Sequence, residues 1–386
     1  MTFSTLAVIS LIGLLGPMLT LRKSWPIPIV LGELLAGVVF GNSGFGFLRP
    51  SSEAFTFLAD IGFVLIMFVV GTHVPVRAPL IRSALRIGAA RAALVGLLAT
   101  AGGIGIAYAT DTGHPALFAV LLASSSAAFV LPLLDSIQLK GTSALQLTAQ
   151  VAIADTVCIV ALPLAIDPGN AVRASFGVLV VAVSGVLLFL LLRAIDRSGV
   201  QHRVHTTSKE HKLALELRVS LAIIFALAAL ATALHVSIML AGFAAGLAVA
   251  AVGEPRRLAK QLFAVTEGFF GPLFFVWLGA TIDLHELWQH PRFIVLGVAL
   301  GVGAVLVHSL MRLTGQPTPF GAIASAQLGL PVAAATIGAQ QHLLASGEPA
   351  ALLLGALITI GAATVGGSIA VHRAPAPPDY KMGDGA

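Results

Sequence analysis

Asp155 stands in the middle of a long apolar run, between Val151-Ala152-Ile153-Ala154 and Thr156-Val157-Cys158. If that run crosses a membrane, an ionised carboxylate there costs several kcal/mol. The cost is relieved if the side chain faces a cavity, holds a cation or carries a proton. A group that does the last two in turn binds a metal cation and a proton in competition, and that competition alone couples two fluxes. Small hard cations take oxygen ligands. The hydroxyls of Ser125, Ser126 and Thr156 are therefore candidate co-ligands, completed by backbone carbonyls and water. The other acids inside apolar runs are Glu33, Asp60 and Glu267, while Asp135 and Glu216 sit at run mouths. Glu33 and Asp60 lie nearer run ends and read as structural or snorkelling groups. On the basic side, His308 and Arg312 are four residues apart, which places them on one helix face. Arg312 reads as snorkelling near a run end. His308, one turn deeper, reads as a packing contact, with a proton acceptor or pH-sensitive partner as the alternative. His202, His205 and His211 fall in a polar loop and read as solvated.

These residues need elements to position them, and the composition says which kind. The chain is 57% apolar and 10% charged, with a mean hydropathy of +0.97. A soluble domain carries about 25% charged residues. The 22 basic and 17 acidic side chains cannot cover 386 residues with a water-facing surface. A soluble enzyme, a disordered chain and a nucleic-acid binder are excluded. One cysteine excludes a disulfide framework and a cysteine metal site. What remains is an all-α polytopic membrane protein. A spanning helix needs about 20 mostly apolar residues. Runs of that kind predict thirteen spans: 3–20, 26–47, 54–73, 83–108, 115–135, 143–166, 173–193, 215–233, 236–252, 262–282, 292–311, 318–339 and 349–371. The weak division at Leu234 and His235 leaves twelve or fourteen open.

Basic residues favour the cytoplasmic side. The odd-numbered loops, their span mouths and the C-terminal tail hold eighteen of the 22, Arg91 among them; the even loops hold only Arg49, Arg173 and Arg292. This predicts an outside N-terminus and a cytoplasmic C-terminus. Residues 194–214 form a basic cytoplasmic loop dividing two halves, and the Pro-rich tail 372–386 is expected to be disordered. The first span lacks the basic leader of a cleaved signal peptide. No nucleotide-binding domain is expected to be attached, and no nucleic-acid partner or cofactor is expected.

The two halves share a feature. Ser124-Ser125-Ser126-Ala127-Ala128 precedes Pro132, and Gln327 and Gly329 precede Pro331 at similar depth. Proline removes a backbone donor, and one such proline is ordinarily a kink. Interrupted helices in corresponding positions of two halves instead point to a transporter's binding site. Spans four to six would match spans eleven to thirteen, and the offset of seven makes the repeats inverted.

Several stretches resemble the monovalent cation:proton antiporters of the second branch of that superfamily. Gly32-Glu33-Leu34-Leu35-Ala36-Gly37 followed by Gly41 is similar to an early element of the family. So are Leu58-Ala59-Asp60-Ile61-Gly62 followed by Phe68 and Gly71, the Ser126 to Leu134 stretch, and Ala241-Gly242-Phe243-Ala244-Ala245-Gly246. Phe270-Gly271-Pro272-Leu273-Phe274-Phe275-Val276-Trp277-Leu278-Gly279 is the most specific match. The resemblance runs in order over about 25–371.

The resemblance implies a homodimer in the bilayer and an antiporter domain over 1–371. It implies a core bundle around 83–166 and 292–371, panel or dimerisation helices around 1–47 and 173–252, and elevator-type alternating access. It places the cation and proton site at two crossed broken helices, with Asp155 as the shared carboxylate. The family's first acid is Ala154 here, its lysine falls at about His308, and its Gly-x-Glu is Gly71-Thr72-His73. With neither member of the family's ion pair present, one proton for one Na⁺ or K⁺ is the simplest stoichiometry. A prokaryotic plasma membrane is the expected location. A sodium-coupled organic-solute transporter of similar fold is the alternative, although a lone central Asp argues against it. A channel would show a ring of acids or a repeated filter, and an enzyme a nucleophile–base set; neither is seen.

Overall fold

A computed structural model describes residues 2–20, 29–73, 81–139, 141–198, 215–234, 236–253, 256–282, 285, 289–341, 343–345 and 347–373. The expected loop 194–214 and tail 372–386 lie almost wholly outside the described residues, as do the loop histidines. Seventeen α-helices are described: α1 Phe3–Gly13, α2 Leu15–Thr20, α3 Ile29–Phe40, α4 Glu53–His73, α5 Ile81–Ala109, α6 Pro115–Ala123, α7 Ala127–Ser136, α8 Thr142–Ile166, α9 Ala171–Arg197, α10 Leu215–Ala233, α11 Ile238–Val252, α12 Arg256–Val265, α13 Gly271–Thr281, α14 Pro291–Ser309, α15 Thr318–Ala324, α16 Gly329–Gln340 and α17 Glu348–Arg373. No strand occurs among the described residues.

Ten helical stretches are long and apolar enough to span a bilayer. The helices at Phe3–Leu19 and Ile238–Val252 are apolar but shorter, and α3 has 12 residues. The described residues thus give ten full-length spans where thirteen segments were expected. Two of the expected segments are single hydrophobic runs but not single helices: 115–135 is split into α6 and α7, and 318–339 into α15 and α16. The segment expected over 262–282 starts earlier, in α12, and passes through the π-helical turn Thr266–Phe270 into α13. Pro272, in the first turn of α13, has no N–H to return to the preceding turn, which accommodates the wider ladder.

Packing falls into two sets. The helices α5, α6 and α8 pack on one another, α14 packs on α17, α15 and α6, and α16 bridges α17 and α8. In the second set α4 lies along α11, α3 along α13, and α9 along α11. The α3–α13 seam is close because both helices turn a glycine to it: a Cβ on Gly279 would overlap the Leu34 carbonyl, and one on Gly37 would overlap the Val276 carbonyl. Membrane helices gain from such close approach because lipid is as apolar as leucine, so packing has to replace the hydrophobic drive.

Candidate ion site at two broken helices

The first interruption covers 124–126 and the second 325–328. Ser124 and Ser126 are extended, with φ/ψ of −72°/152° and −109°/105°. The prolines do not lie at the breaks. Pro132 is inside α7. Pro331 is in the first turn of α16, where a missing N–H costs nothing. Sequence reasoning found the right helices through the wrong residues: a kink and a break both leave prolines nearby, and only the tertiary contacts separate them.

The two breaks meet. Ser126 N–H donates to the Ala326 carbonyl at 2.7 Å, and the Ser125 hydroxyl donates to the Ala324 carbonyl. The Gln327 side-chain amide donates back to the Leu121 carbonyl at 2.5 Å. Each break leaves backbone groups that no helix satisfies, and inside a membrane these must find protein partners. Here each break supplies the other.

Asp155 joins this junction. It is 6% exposed, and its Oδ2 accepts the Ala127 N–H at 2.9 Å. The carboxylate therefore caps α7 and sits at the positive end of that helix. In the second break a neutral side chain meets a freed backbone donor: Thr359 Oγ1 accepts the Gln327 N–H at 3.1 Å and donates to the Ala356 carbonyl at 2.7 Å, with no exposure at all. In each half the partner comes from the helix that follows the break, 28 residues on from Ala127 to Asp155 and 32 from Gln327 to Thr359. Nothing local in the sequence distinguishes Thr359 from Thr364 of the same helix.

The other expected site residues distribute as follows. Ser125 and Ser126 are buried at the junction; Ser126 does not cap α7, because Asp155 takes that position. The Thr156 hydroxyl donates to the Ala152 carbonyl at 2.7 Å within its own helix and is half-buried. Ser125 and Thr156 thus have their protons engaged and keep lone pairs for a ligand. His308 is fully buried and faces the carbonyls of Leu122 and Ser124 at the C-terminal end of α6, with neither ring nitrogen in hydrogen-bonding geometry to a described residue. It lies across the first break from the α7 end that Asp155 caps. His308 and Arg312 do not share a helix face. The chain tightens into a 3₁₀ turn at Leu310–Thr314, which ends the i,i+4 register, and Arg312 is exposed. Glu33 does not snorkel: it is 2% exposed, packed against Gly16 of α2. Asp60 is half-buried in α4 and Glu267 is exposed in the π turn, so neither joins the junction. Among the described residues no three His, Cys, Asp or Glu side chains gather to hold a metal. The oxygen set at the junction is one carboxylate, hydroxyls and helix-end carbonyls, which suits a small monovalent cation and a proton.

The transmembrane sodium/hydrogen exchanger profile matches residues 7–371. The chain belongs to the sodium/hydrogen exchanger family. This family member is 26% identical over 382 residues to YjbQ of Bacillus subtilis (strain 168), a protein named as a candidate Na⁺/H⁺ antiporter. The match covers 92% of the chain and 61% of YjbQ, so the chain spans about three-fifths of that relative's length. It is also 26% identical over 310 residues to the Na⁺/H⁺-K⁺ antiporter GerN of Bacillus cereus, covering 78% of the chain and 77% of GerN. The structure of the sodium proton antiporter MjNhaP1 from Methanocaldococcus jannaschii at pH 8 superposes with a TM-score of 0.70, covering 96% of this chain and 97% of that one, at 17% identity. That likeness establishes the fold as an antiporter fold. The exchanger-family chain is accordingly an integral membrane protein.

Proposed function

We propose that this family member exchanges Na⁺ or K⁺ for H⁺ as a secondary active transporter, with Asp155 as the carboxylate that cation and proton share. The observation that carries the reading is the Asp155–Ala127 contact: the one acid among the described residues at the junction of the breaks is also the group that caps a half-helix there. A cation bound at Asp155 draws on the Ser125, Ser126 and Thr156 oxygens and the freed carbonyls, and a proton on Asp155 displaces it. The residue before Asp155 is Ala154, and His308 is aimed at carbonyls of the first break. One titrating acid then supports one proton per monovalent cation, an electroneutral exchange. His308 acts on the far side of the break, as a donor-bearing neighbour of the carbonyls that end α6.

The packing supports a moving core of α5–α8 and α14–α17, carrying both breaks as inverted repeats, against a panel of α1–α3 and α9–α11. Two more helices, α4 and α13, pack with the panel. Elevator-type movement of the core past the panel alternates access. The apolar outward face of α9, including Val172, Phe176, Leu179, Val183 and Leu187, suits burial in lipid or in a homodimer interface. Basic loops on the inner face put the N-terminus outside, and the bacterial origin of YjbQ and GerN supports a plasma-membrane location.

The test is exchange in proteoliposomes carrying a pH-sensitive dye. Wild type collapses an imposed pH gradient on adding Na⁺ or K⁺, and Asp155→Asn does not. Equal dye recovery in wild type and Asp155→Asn removes Asp155 from the mechanism; no response of wild type to either cation removes the exchange itself.

A further inference from the structure

The end of the core where α5, α8 and the α14–α15 connection meet holds a buried polar cluster outside the ion junction. Arg91 of α5 is 5% exposed. Its Nε donates to Thr314 Oγ1 at 2.9 Å, one Nη to Gln146 Oε1 at 3.2 Å, and the other to the Thr314 carbonyl at 3.3 Å. The sequence had grouped Arg91 with the loop charges; it is in fact inside the bundle. Beside it, Gln316 Nε2 donates to Gln150 Oε1 at 3.0 Å. Gln150 is 1% exposed and Gln316 3%. The backbone of Gln150 is reached by α5 at Gly88, where a Cβ would stand 2.7 Å from Gln150 N.

Gln150 Nε2 and Gln316 Oε1 find no hydrogen-bond partner among the described residues. Two primary amides joined by one hydrogen bond always leave one N–H₂ group and one carbonyl oxygen to spare, whichever way each amide is turned. A buried donor and a buried acceptor left unpaired on two bonded amides are costly, and one molecule that accepts from the first and donates to the second satisfies both. Water does this. A monovalent anion would accept from Gln150 but leave the Gln316 oxygen facing a negative charge, and a cation would face the Arg91 guanidinium.

We propose that Gln150 and Gln316 hold an internal water molecule, and that this water is a step on the proton's route between Asp155 and the aqueous face that carries the basic loops. Gln150 precedes Asp155 by five residues on α8, about 7.5 Å along the axis at 1.5 Å per residue. Gln316 sits two residues before α15, the half-helix whose far end delivers the Ala324 carbonyl to the ion junction. The pair therefore lies alongside the segment that separates the junction from that face. The proton passes by rearranged hydrogen bonds through water, and no covalent bond of the protein changes. The step rests on the exchange reading above.

The experiment uses the full chain. A cryo-electron microscopy map fine enough to show ordered solvent should hold a density peak within hydrogen-bond reach of both amides; its absence at well-ordered side chains overturns the water site. In proteoliposomes, Gln150→Leu and Gln316→Leu should slow pH-driven exchange several-fold with the cation KM unchanged. Gln150→His, which still donates and accepts, should keep most of the rate. Leu variants that fold, judged by a monodisperse elution profile, and that exchange at the wild-type rate overturn the relay. If the Asp155 reading is the one at fault, Asp155→Asn exchanges normally while the density and the Leu effects persist.

Discussion

Replacing Asp155 separates its two roles, because asparagine and alanine remove different things. Asp155 Oδ2 accepts the Ala127 N–H at 2.9 Å in a site 6% exposed. Asparagine keeps an acceptor oxygen in that place, removes the titratable charge and lifts the cost of burying a carboxylate. Alanine removes the acceptor and leaves a buried N–H at the start of α7. A lost N-cap costs about 0.5–2 kcal/mol, and an unsatisfied buried amide about 1–3 kcal/mol. With an unfolding entropy of about 2.1 cal/mol/K per residue, 386 residues give roughly 0.8 kcal/mol/K. Asp155→Ala should therefore melt about 1–4 °C below Asp155→Asn, with Asn at or above wild type. A saturating cation adds about 2.7 kcal/mol at a hundredfold excess over Kd, roughly 3 °C for wild type and nothing for either variant. Scanning fluorimetry of purified protein, with and without Na⁺ or K⁺, measures all of these. An Ala variant as stable as Asn would mean that the Ala127 contact does not cap α7. A cation-dependent shift that survives in Asn would mean that the carboxylate is not the ligand.

Thr359→Val should lower Tm by a similar 1–4 °C, since it strands the buried Gln327 N–H; Thr359→Ser, which keeps the hydroxyl, should restore it, and thermal melts of the pair check this. Gly279→Ala should abolish recovery of monodisperse protein, because its Cβ overlaps the Leu34 carbonyl. Gly268→Ala, with open space at that position, should not, as size-exclusion chromatography will report. Na⁺-driven exchange at a fixed pH gradient should be unchanged by a membrane potential set with an ion the protein does not carry and with K⁺ equal on both sides, and a rate that follows the imposed voltage would show that net charge moves in each cycle. Arg91→Leu should destabilise by more than Arg91→Lys, since the lysine retains a donor for the Thr314 carbonyl, with thermal melts as the measure.

The sequence by itself determined that the chain lives in a bilayer, because so few charges cannot clothe a soluble surface. It also determined which acid was anomalous, because periodic apolar flanks put Asp155 far from either end of its run. The ordered glycine and proline motifs were enough for the family. Where an apolar run is one unbroken helix its bounds were legible, as with the span expected over 143–166, which is α8. The reading failed where the local geometry itself changed, as between His308 and Arg312, where a 3₁₀ turn replaces the α-helix. It also failed where partners lie far apart along the chain. Ser125 meets Ala324 across 199 residues, Gln327 meets Leu121 across 206, and Arg91 meets Thr314 across 223. Nothing local specifies such pairs. A broken helix looks like a kinked one until another break arrives to satisfy its backbone, and an arginine near a span end looks solvated until a turn from the other half of the chain closes over it. Only the tertiary structure decided that Asp155 caps α7, that Thr359 holds the Gln327 N–H of the second break and that two glutamines are joined near Arg91. The reason is that a membrane interior offers no water, so every freed polar group has to be met by protein, and the fold chooses which one.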